Sequence, residues 1–327
     1  MKKLLFIGHS YHQKTRSADF MIDLLSQRYK IEKFYFDPYS QNINTVFSPI
    51  YKKEFDIIVL WQIMPDLHEL SKNIKFNKSV FFPMYDGVPP STDNYWKAYK
   101  NTTIINFCLE LHKKLYKLDY NSNYIQFFPK PIAINNNGNP KSIFFWQRHT
   151  SINADTITKL LSSTDINHLH LHKAPDPNHK IITPNKNWNT TYSEWFETKE
   201  EMHNEMQKHA FYFAPRPKEG IGMSFLEAMA MGRCVIAPNA PTMNEYIIHG
   251  KTGFLYNPKK IEHIDINNIE QIQKNTYEYI KNGYEKWEKE KSKIFEWIEA
   301  PIKTKKTIKA TKTIKFLGIP FLSIEEQ

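Results

Sequence analysis

The stretch Ala214-Pro215-Arg216-Pro217-Lys218-Glu219-Gly220-Ile221-Gly222-Met223-Ser224-Phe225-Leu226-Glu227 sets two carboxylates eight residues apart around a glycine-containing turn. It reads as the end of a strand, a loop with proline and glycine, and the start of an apolar helix. Gly220 and Gly222 let the backbone come close to a ligand. The following helix offers unpaired N–H groups and a partial positive charge to a diphosphate. Glu219 lies on the loop and Glu227 about one turn into the helix, so both can face one ligand from opposite ends. The same spacing recurs at Glu197/Glu205, Glu262/Glu270, Glu270/Glu278 and Glu288/Glu296, all in charged helical stretches. Only Glu219/Glu227 has a strand before it, glycines inside it and an apolar helix after it. Two plainer readings stand beside this one. Ser224-Phe225-Leu226-Glu227 is also a capping box, in which Glu227 merely satisfies the helix N-terminus. And Gly220-Ile221-Gly222 lacks the third glycine of a dinucleotide fingerprint, since Phe225 stands there.

The elements around this stretch follow from hydrophobic periodicity. Leu4–Ile7, Ile31–Phe36, Asp56–Trp61, Ser79–Phe82, Thr103–Phe107 and Tyr124–Phe128 read as strands, and Ser17–Tyr29 and Cys108–Lys117 as helices. After the linker Asn135-Asn136-Asn137-Gly138-Asn139-Pro140 the pattern restarts. Ser142–Trp146, His168–His172, Phe211–Ala214 and Cys234–Ala237 read as strands. Helices are expected at Ala154–Ser162, from Thr198 with Glu201 as its capping box, and at Met223–Met231. Strands alternating with helices imply parallel sheets covered on both faces. The expected fold is α/β, with a Rossmann-like domain over 1–135 and a second over 141–260. A charged helix pair over 261–300, packed on the second domain, and a basic and apolar tail over 301–327 follow.

Composition narrows the functional classes. At 327 residues the chain is long for one core, and 14% aromatic content supplies large buried side chains for two. The two cysteines, Cys108 and Cys234, form no disulfide framework and fit a reducing cytoplasm. Leu4–Ile7 is too short for a signal peptide and reads as the first strand, and no run approaches the roughly 20 apolar residues of a spanning helix. The net charge of +10 allows nucleic acid, an anionic membrane or phosphorylated substrates. No motif supports nucleic acid. Lys303, Lys305, Lys306, Lys309, Lys312 and Lys315 precede the apolar Phe316–Leu322, a combination suited to docking on an anionic membrane surface; a flexible tail packed onto the body is the plainer alternative.

The segment around Glu219 and Glu227 resembles the Glu-x7-Glu motif of family-4 retaining glycosyltransferases. Val235-Ile236-Ala237-Pro238, Pro241-Thr242-Met243-Asn244-Glu245-Tyr246 and His249-Gly250-Lys251-Thr252-Gly253-Phe254-Leu255 continue the likeness, which is strong from Phe211 to Pro258. The resemblance implies a GT-B fold, two facing Rossmann-like domains, with the donor held mainly by the second. It assigns Glu219 to the transferred sugar and Glu227 to the ribose hydroxyls. Backbone N–H groups of Gly222, Met223, Ser224 and Phe225 would hold the diphosphate or sugar. Arg148 fits the arginine of a basic pair that the family carries after the second domain's first strand. The accompanying lysine is missing, because Thr150, Ser151, Ile152 and Asn153 occupy that region, so Arg216, Lys218 or Lys173 would assist. No cofactor beyond a nucleoside-diphosphate sugar is expected. The absence of an Asp-x-Asp pair argues against metal-dependent transfer, and adjacent strand histidines such as His168, His170 and His172 rarely converge on an ion.

The first domain would receive a saccharide or lipid-linked acceptor, with His9 or Asp86 taking the proton. Turn formation by Asp86-Gly87 and a strand-end role for His9 are the plainer readings. The expected function is retaining, metal-independent sugar transfer in bacterial cell-envelope polysaccharide synthesis, at the inner face of the membrane. The alternative is a catalytically silent GT-B protein that binds a nucleotide sugar or glycan as a partner subunit, and the missing lysine keeps it open.

Overall fold

The computed structural model describes residues 1–38, 43–88, 93–184 and 188–302, together with the backbone of 312–313 and 321–322. Two six-stranded sheets, parallel throughout, organise it. The first holds β1 (Lys2–His9), β2 (Tyr29–Phe36), β3 (Glu54–Trp61), β4 (Lys75–Phe82), β5 (Thr103–Asn106) and β6 (Ser122–Tyr124) in the order β2-β1-β3-β4-β5-β6. The second holds β7 (Asn139–Trp146), β8 (His168–His172), β9 (Asn189–Ser193), β10 (His209–Phe213), β11 (Cys234–Pro238) and β12 (Gly253–Tyr256) in the order β12-β11-β10-β7-β8-β9. Central strands such as β10 and β11 are buried along their whole length, as their continuous apolar runs require once helices cover both faces.

The helices are α1 (Tyr11–Thr15), α2 (Asp19–Ser26), α3 (Ile43–Val46), α4 (Leu67–Asn73), α5 (Asp93–Trp96), α6 (Leu109–Lys117), α7 (Ala154–Leu160), α8 (Lys199–Gln207), α9 (Met223–Ala230), α10 (Ile269–Glu290) and α11 (Lys293–Glu299). Strand order reverses between β1 and β3 in the first sheet and between β7 and β10 in the second. Crevices beyond the carboxyl ends of strands at such reversals are where open α/β sheets bind ligands. The Glu219 loop follows β10 and Arg148 follows β7, so both candidates stand at the second reversal.

Several expectations are corrected. Of the expected strand Tyr124–Phe128 only Tyr124 lies in the sheet, as the last residue of β6. Phe127 and Phe128 leave it to meet Trp287 and Tyr246, with ring centroids 5.1 and 5.3 Å away. Pro129 and Pro131, which cannot donate to a ladder, follow them. β9 was not anticipated, because Asn-Thr-Thr-Tyr-Ser carries no apolar run. Residues 261–268 are not helical, and α10 starts only after Asn268 in a left-handed conformation.

The closing helices serve both domains rather than the second alone. α10 packs on α9, whereas α11 returns to the first sheet. There Phe295 lies 6.0 Å from the Tyr29 ring, Tyr29 Oη donates to Glu299 at 2.8 Å, and Lys2 pairs with Glu299. The basic tail falls almost wholly outside the described residues; Lys312–Thr313 and Phe321–Leu322 form a short antiparallel pair. No described helix is long and apolar enough to cross a membrane.

Candidate functional site

The turn between β10 and α9 has the geometry that its glycines allow. Gly222 has φ of 81°, and a Cβ there would lie 1.9 Å from the Phe225 ring. It occupies the N-cap of α9, where no side chain caps the helix. Ser224 is already inside the helix, and Glu227 turns to other partners. Lys199 and His203, one turn apart on α8, both reach its carboxylate, His203 Nε2 at 3.3 Å. The capping-box reading of Glu227 therefore fails, and the first N–H groups of α9 are left facing the cleft. Burial opposes the charge on Glu227, but His203 and Lys199 outweigh it and hold its pKa below the usual carboxylate value.

The loop is fixed from behind. Glu219 N donates to Pro241 O at 3.2 Å, and Thr242 Oγ1 lies 2.6 and 2.8 Å from the Glu219 and Gly220 carbonyl oxygens. Gly220 comes so close to the first domain that a Cβ would sit 2.7 Å from Met84 Cβ and 2.8 Å from Asp86 Oδ1. The backbone of the loop before α9 thus touches the Met84–Asp86 loop of the first domain at the one residue type that permits it.

A compact charge cluster joins the two loops. Arg216 donates to Asp86 Oδ2 at 3.0 Å and to Asp176 Oδ2 at 2.8 Å, and its Nη1 lies 3.7 Å from Glu219 Oε2. Arg148 donates to Asp176 Oδ1 at 2.7 Å and to Tyr11 Oη of the first domain at 3.3 Å. Two guanidinium groups thus face three acids. Burial pushes the Glu219 carboxyl up to about 7, with Arg216 pulling it back and Asp86 adding to the rise. Burial likewise raises Asp86, whose Oδ1 is buried without a hydrogen bond.

These groups line a cavity of about 790 Å³ between the domains. Among the expected residues, Glu219, Asp86, Arg148, Arg216, Gly220, Gly222, Met223, Ser224 and Glu227 face it. Lys218 does not; its Nζ lies 5.5 Å from the Tyr85 ring, outside the lining. The Phe225 side chain is buried beneath the turn, leaving only its N–H in play. His9 is also outside the lining: its Nδ1 accepts from Tyr11 N at 3.0 Å and its Nε2 lies 3.5 Å from Asp37. His12, on α1, faces the cavity instead. Its Nδ1 meets Ser17 Oγ at 2.7 Å, its Nε2 is buried without a hydrogen bond, and burial lowers its pKa to about 4. Lys173 pairs with Glu194 at 3.8 Å and takes no place in the lining.

Sequence reasoning missed Asp176, Lys199, His203 and the cavity aromatics Trp146 and Trp195. Trp146 lies under the Arg148 guanidinium at 4.7 Å, and Lys14 of the first domain sits 4.1 Å from the Trp195 ring. The one available signal was the N-cap at Thr198. It places Lys199 and His203 at i and i+4 on a helix whose start faces the cleft; Thr198 accepts from Glu201 N at 3.1 Å. The reciprocal bond is absent, because the Glu201 carboxylate takes Glu197 N instead.

Residues 181–291 match the family described as glycosyl transferases group 1. No curated protein shows a matching sequence. Solved structures with a similar fold include the sucrose-phosphate synthase from Thermosynechococcus elongatus, at 11% identity and a TM-score of 0.62, covering 90% of this chain and 98% of that one. The lipopolysaccharide outer core galactosyltransferase WaaB in its apo form is similar at 10% identity and a TM-score of 0.57, covering 90% and 99%. Anabaena Alr3699/HepE in complex with UDP and glucose follows at 12% identity and 0.56, covering 89% and 100%. Likeness at these identities is one of fold. The two parallel sheets facing one cleft are a GT-B fold, and the family match over part of the second domain and α10 supports a glycosyltransferase.

Proposed function

We propose that this chain moves a sugar from a nucleoside-diphosphate sugar to a saccharide or lipid-linked acceptor, with retention of configuration and without a metal in the transfer step. The observation that carries the reading is the uncapped N-terminus of α9 between two buried glutamates, opening on a cleft that holds two arginines. The helix N–H groups and dipole receive the diphosphate. Arg148, Arg216 and Lys199 supply the charge that stabilises the departing nucleoside diphosphate. Lys199 and His203 hold Glu227 ionised to accept hydrogen bonds from the ribose hydroxyls. Glu219 meets the transferred sugar as a carboxyl able to donate or accept.

Asp86 and His12 are the groups placed to take the proton of the incoming acceptor hydroxyl, with Asp86 nearer the donor loop. UDP is the first nucleotide to test, given the UDP bound to the similar Alr3699/HepE. The lipopolysaccharide enzyme among the similar folds favours a cell-envelope acceptor, and the lysine-rich tail favours work at the inner membrane face.

The experiment is donor turnover by the purified protein across a panel of nucleotide sugars, with the product's anomeric configuration read by NMR. Glu219→Ala should cost at least about 100-fold in kcat while leaving nucleotide-induced thermal stabilisation in place. Transfer by that variant at the wild-type rate removes Glu219 from the chemistry. Nucleotide binding by the wild-type chain without any turnover identifies a silent binding subunit instead.

A further inference from the structure

β8 points His168, His170 and His172 to one face, with Leu169 and Leu171 buried on the other. The three do not converge on one another along the strand. The neighbouring β10 and the helix α8 bring other groups to the middle one. One ligand atom from each of His170, Glu205 and His209 lies within 4.8 Å of the other two. Glu205 Oε1 is 3.3 Å from His170 Nδ1 and 3.5 Å from His209 Nε2. Bonds of about 2.0–2.1 Å in a tetrahedron place neighbouring ligands roughly 3.3 Å apart, a spacing that the two Glu205 separations already approach.

The surroundings are those of a supported site. Both rings are buried, His170 at 4% and His209 at 3% exposure. Each has its other nitrogen held by a hydroxyl: Ser193 Oγ lies 2.8 Å from His170 Nε2, and Ser142 Oγ lies 2.5 Å from His209 Nδ1. Outer contacts of this kind fix the tautomer and the aim of metal-binding imidazoles. Thr191 Oγ1 shares the side of His170 Nδ1 at 2.9 Å, and Lys208 occupies the other oxygen of Glu205 at 2.5 Å. The Lys208 side chain is 65% exposed, so it can swing into water when a cation arrives.

We propose that His170, Glu205 and His209 form a binding site for a divalent transition metal, zinc being the best match to two imidazoles and one carboxylate, with water completing the shell. None of the three lines the donor cavity. The ion would tie β8 and β10 to the last turns of α8, the helix that presents Lys199 and His203 to Glu227. Its role is structural, and it takes no part in the transfer step.

The test uses the full-length protein freed of metal by chelator dialysis, then titrated with Zn²⁺ and, separately, Co²⁺. Metal content by mass spectrometry should reach one equivalent, the melting temperature should rise by several degrees, and Co²⁺ should give the intense visible bands of a four-coordinate site. Glu205→Gln, which alters a partly exposed residue and should fold, is expected to lower zinc affinity at least tenfold, and His209→Gln to abolish the equivalent. His149 and His179 stack elsewhere with centroids 3.9 Å apart, so His179→Ala serves as the control and should bind zinc unchanged. A wild-type chain with no saturable equivalent overturns the proposal. So does an equivalent that survives in Glu205→Gln at full affinity or disappears in His179→Ala.

Discussion

Glu219 owes its character to its neighbours. It is buried beside Asp86 and Asp176, and two arginines shared among three acids leave it short of counter-charge. Its pKa rises from 4.5 to about 7 in the fold. An acid with a raised folded pKa takes up a proton on folding. The stability it contributes is therefore complete below about 4.5 and is lost as pH rises toward 7. Glu219→Gln removes that loss, because the amide cannot ionise. Urea unfolding at pH 5 and pH 7.5 should show the ligand-free wild type losing stability to the variant as pH increases. A wild-type-minus-variant difference that stays level across this range would mean that the carboxylate is ionised in the fold throughout.

Among the elements, the segment 241–245 does more than connect β11 to β12. Pro241 and Thr242 hold the backbone of Glu219 and Gly220. Three residues on, Glu245 crosses to the first domain and accepts from Leu109 N at 2.8 Å and Glu110 N at 3.2 Å, at the start of α6. One domain thus supplies the N-terminal cap of a helix in the other, and the same segment holds the Glu219 loop. Burial first, and then the charge of Glu245, push the Cys108 thiol at this junction up to about 12, so it is a neutral donor at 3.3 Å rather than a nucleophile. Glu245→Ala should cost about 1–2 kcal/mol, as loss of a helix cap does, and should slow turnover as the loop loosens. Chemical denaturation and steady-state kinetics read the two effects; full stability in the variant would show that water replaces the cap without loss.

For the whole molecule, the two sheets share one apolar continuum. The largest core cluster includes Leu4 and Phe6 of the first sheet as well as Phe144 and Tyr212 of the second. Phe127, Phe128 and Trp287 belong to the same cluster. Helix α11 closes the circuit by returning to β2, where Phe295 meets Tyr29 and carries the Arg28 guanidinium 4.4 Å from its ring. The chain should therefore unfold as one unit. Phe295→Ala removes a buried aromatic from this return contact and should cost about 3–5 kcal/mol. Tryptophan fluorescence in urea should show a single transition moved to lower denaturant. Two separated transitions in the wild type would mean that the domains fold independently of α11.

Taken alone, the sequence determined the alternation of strands and helices, the restart near Asn135, and the glycine turn with its two acids. These are local properties: apolar periodicity, a break in pattern, and a backbone conformation that only glycine adopts easily, as Gly222 does at φ of 81°. Tertiary structure alone decided which charges meet. Asp176 reaches Arg148 and Arg216 from a loop after β8. Lys199 and His203 reach Glu227 from α8, and His12 rather than His9 turns into the cleft. His170 finds its neighbours on β10 and α8 rather than along its own strand. Such meetings depend on strand order and on how helices dock, which no local pattern encodes. The same reason sent α11 to the first sheet, since an amphipathic helix records that one face is buried but not against which domain.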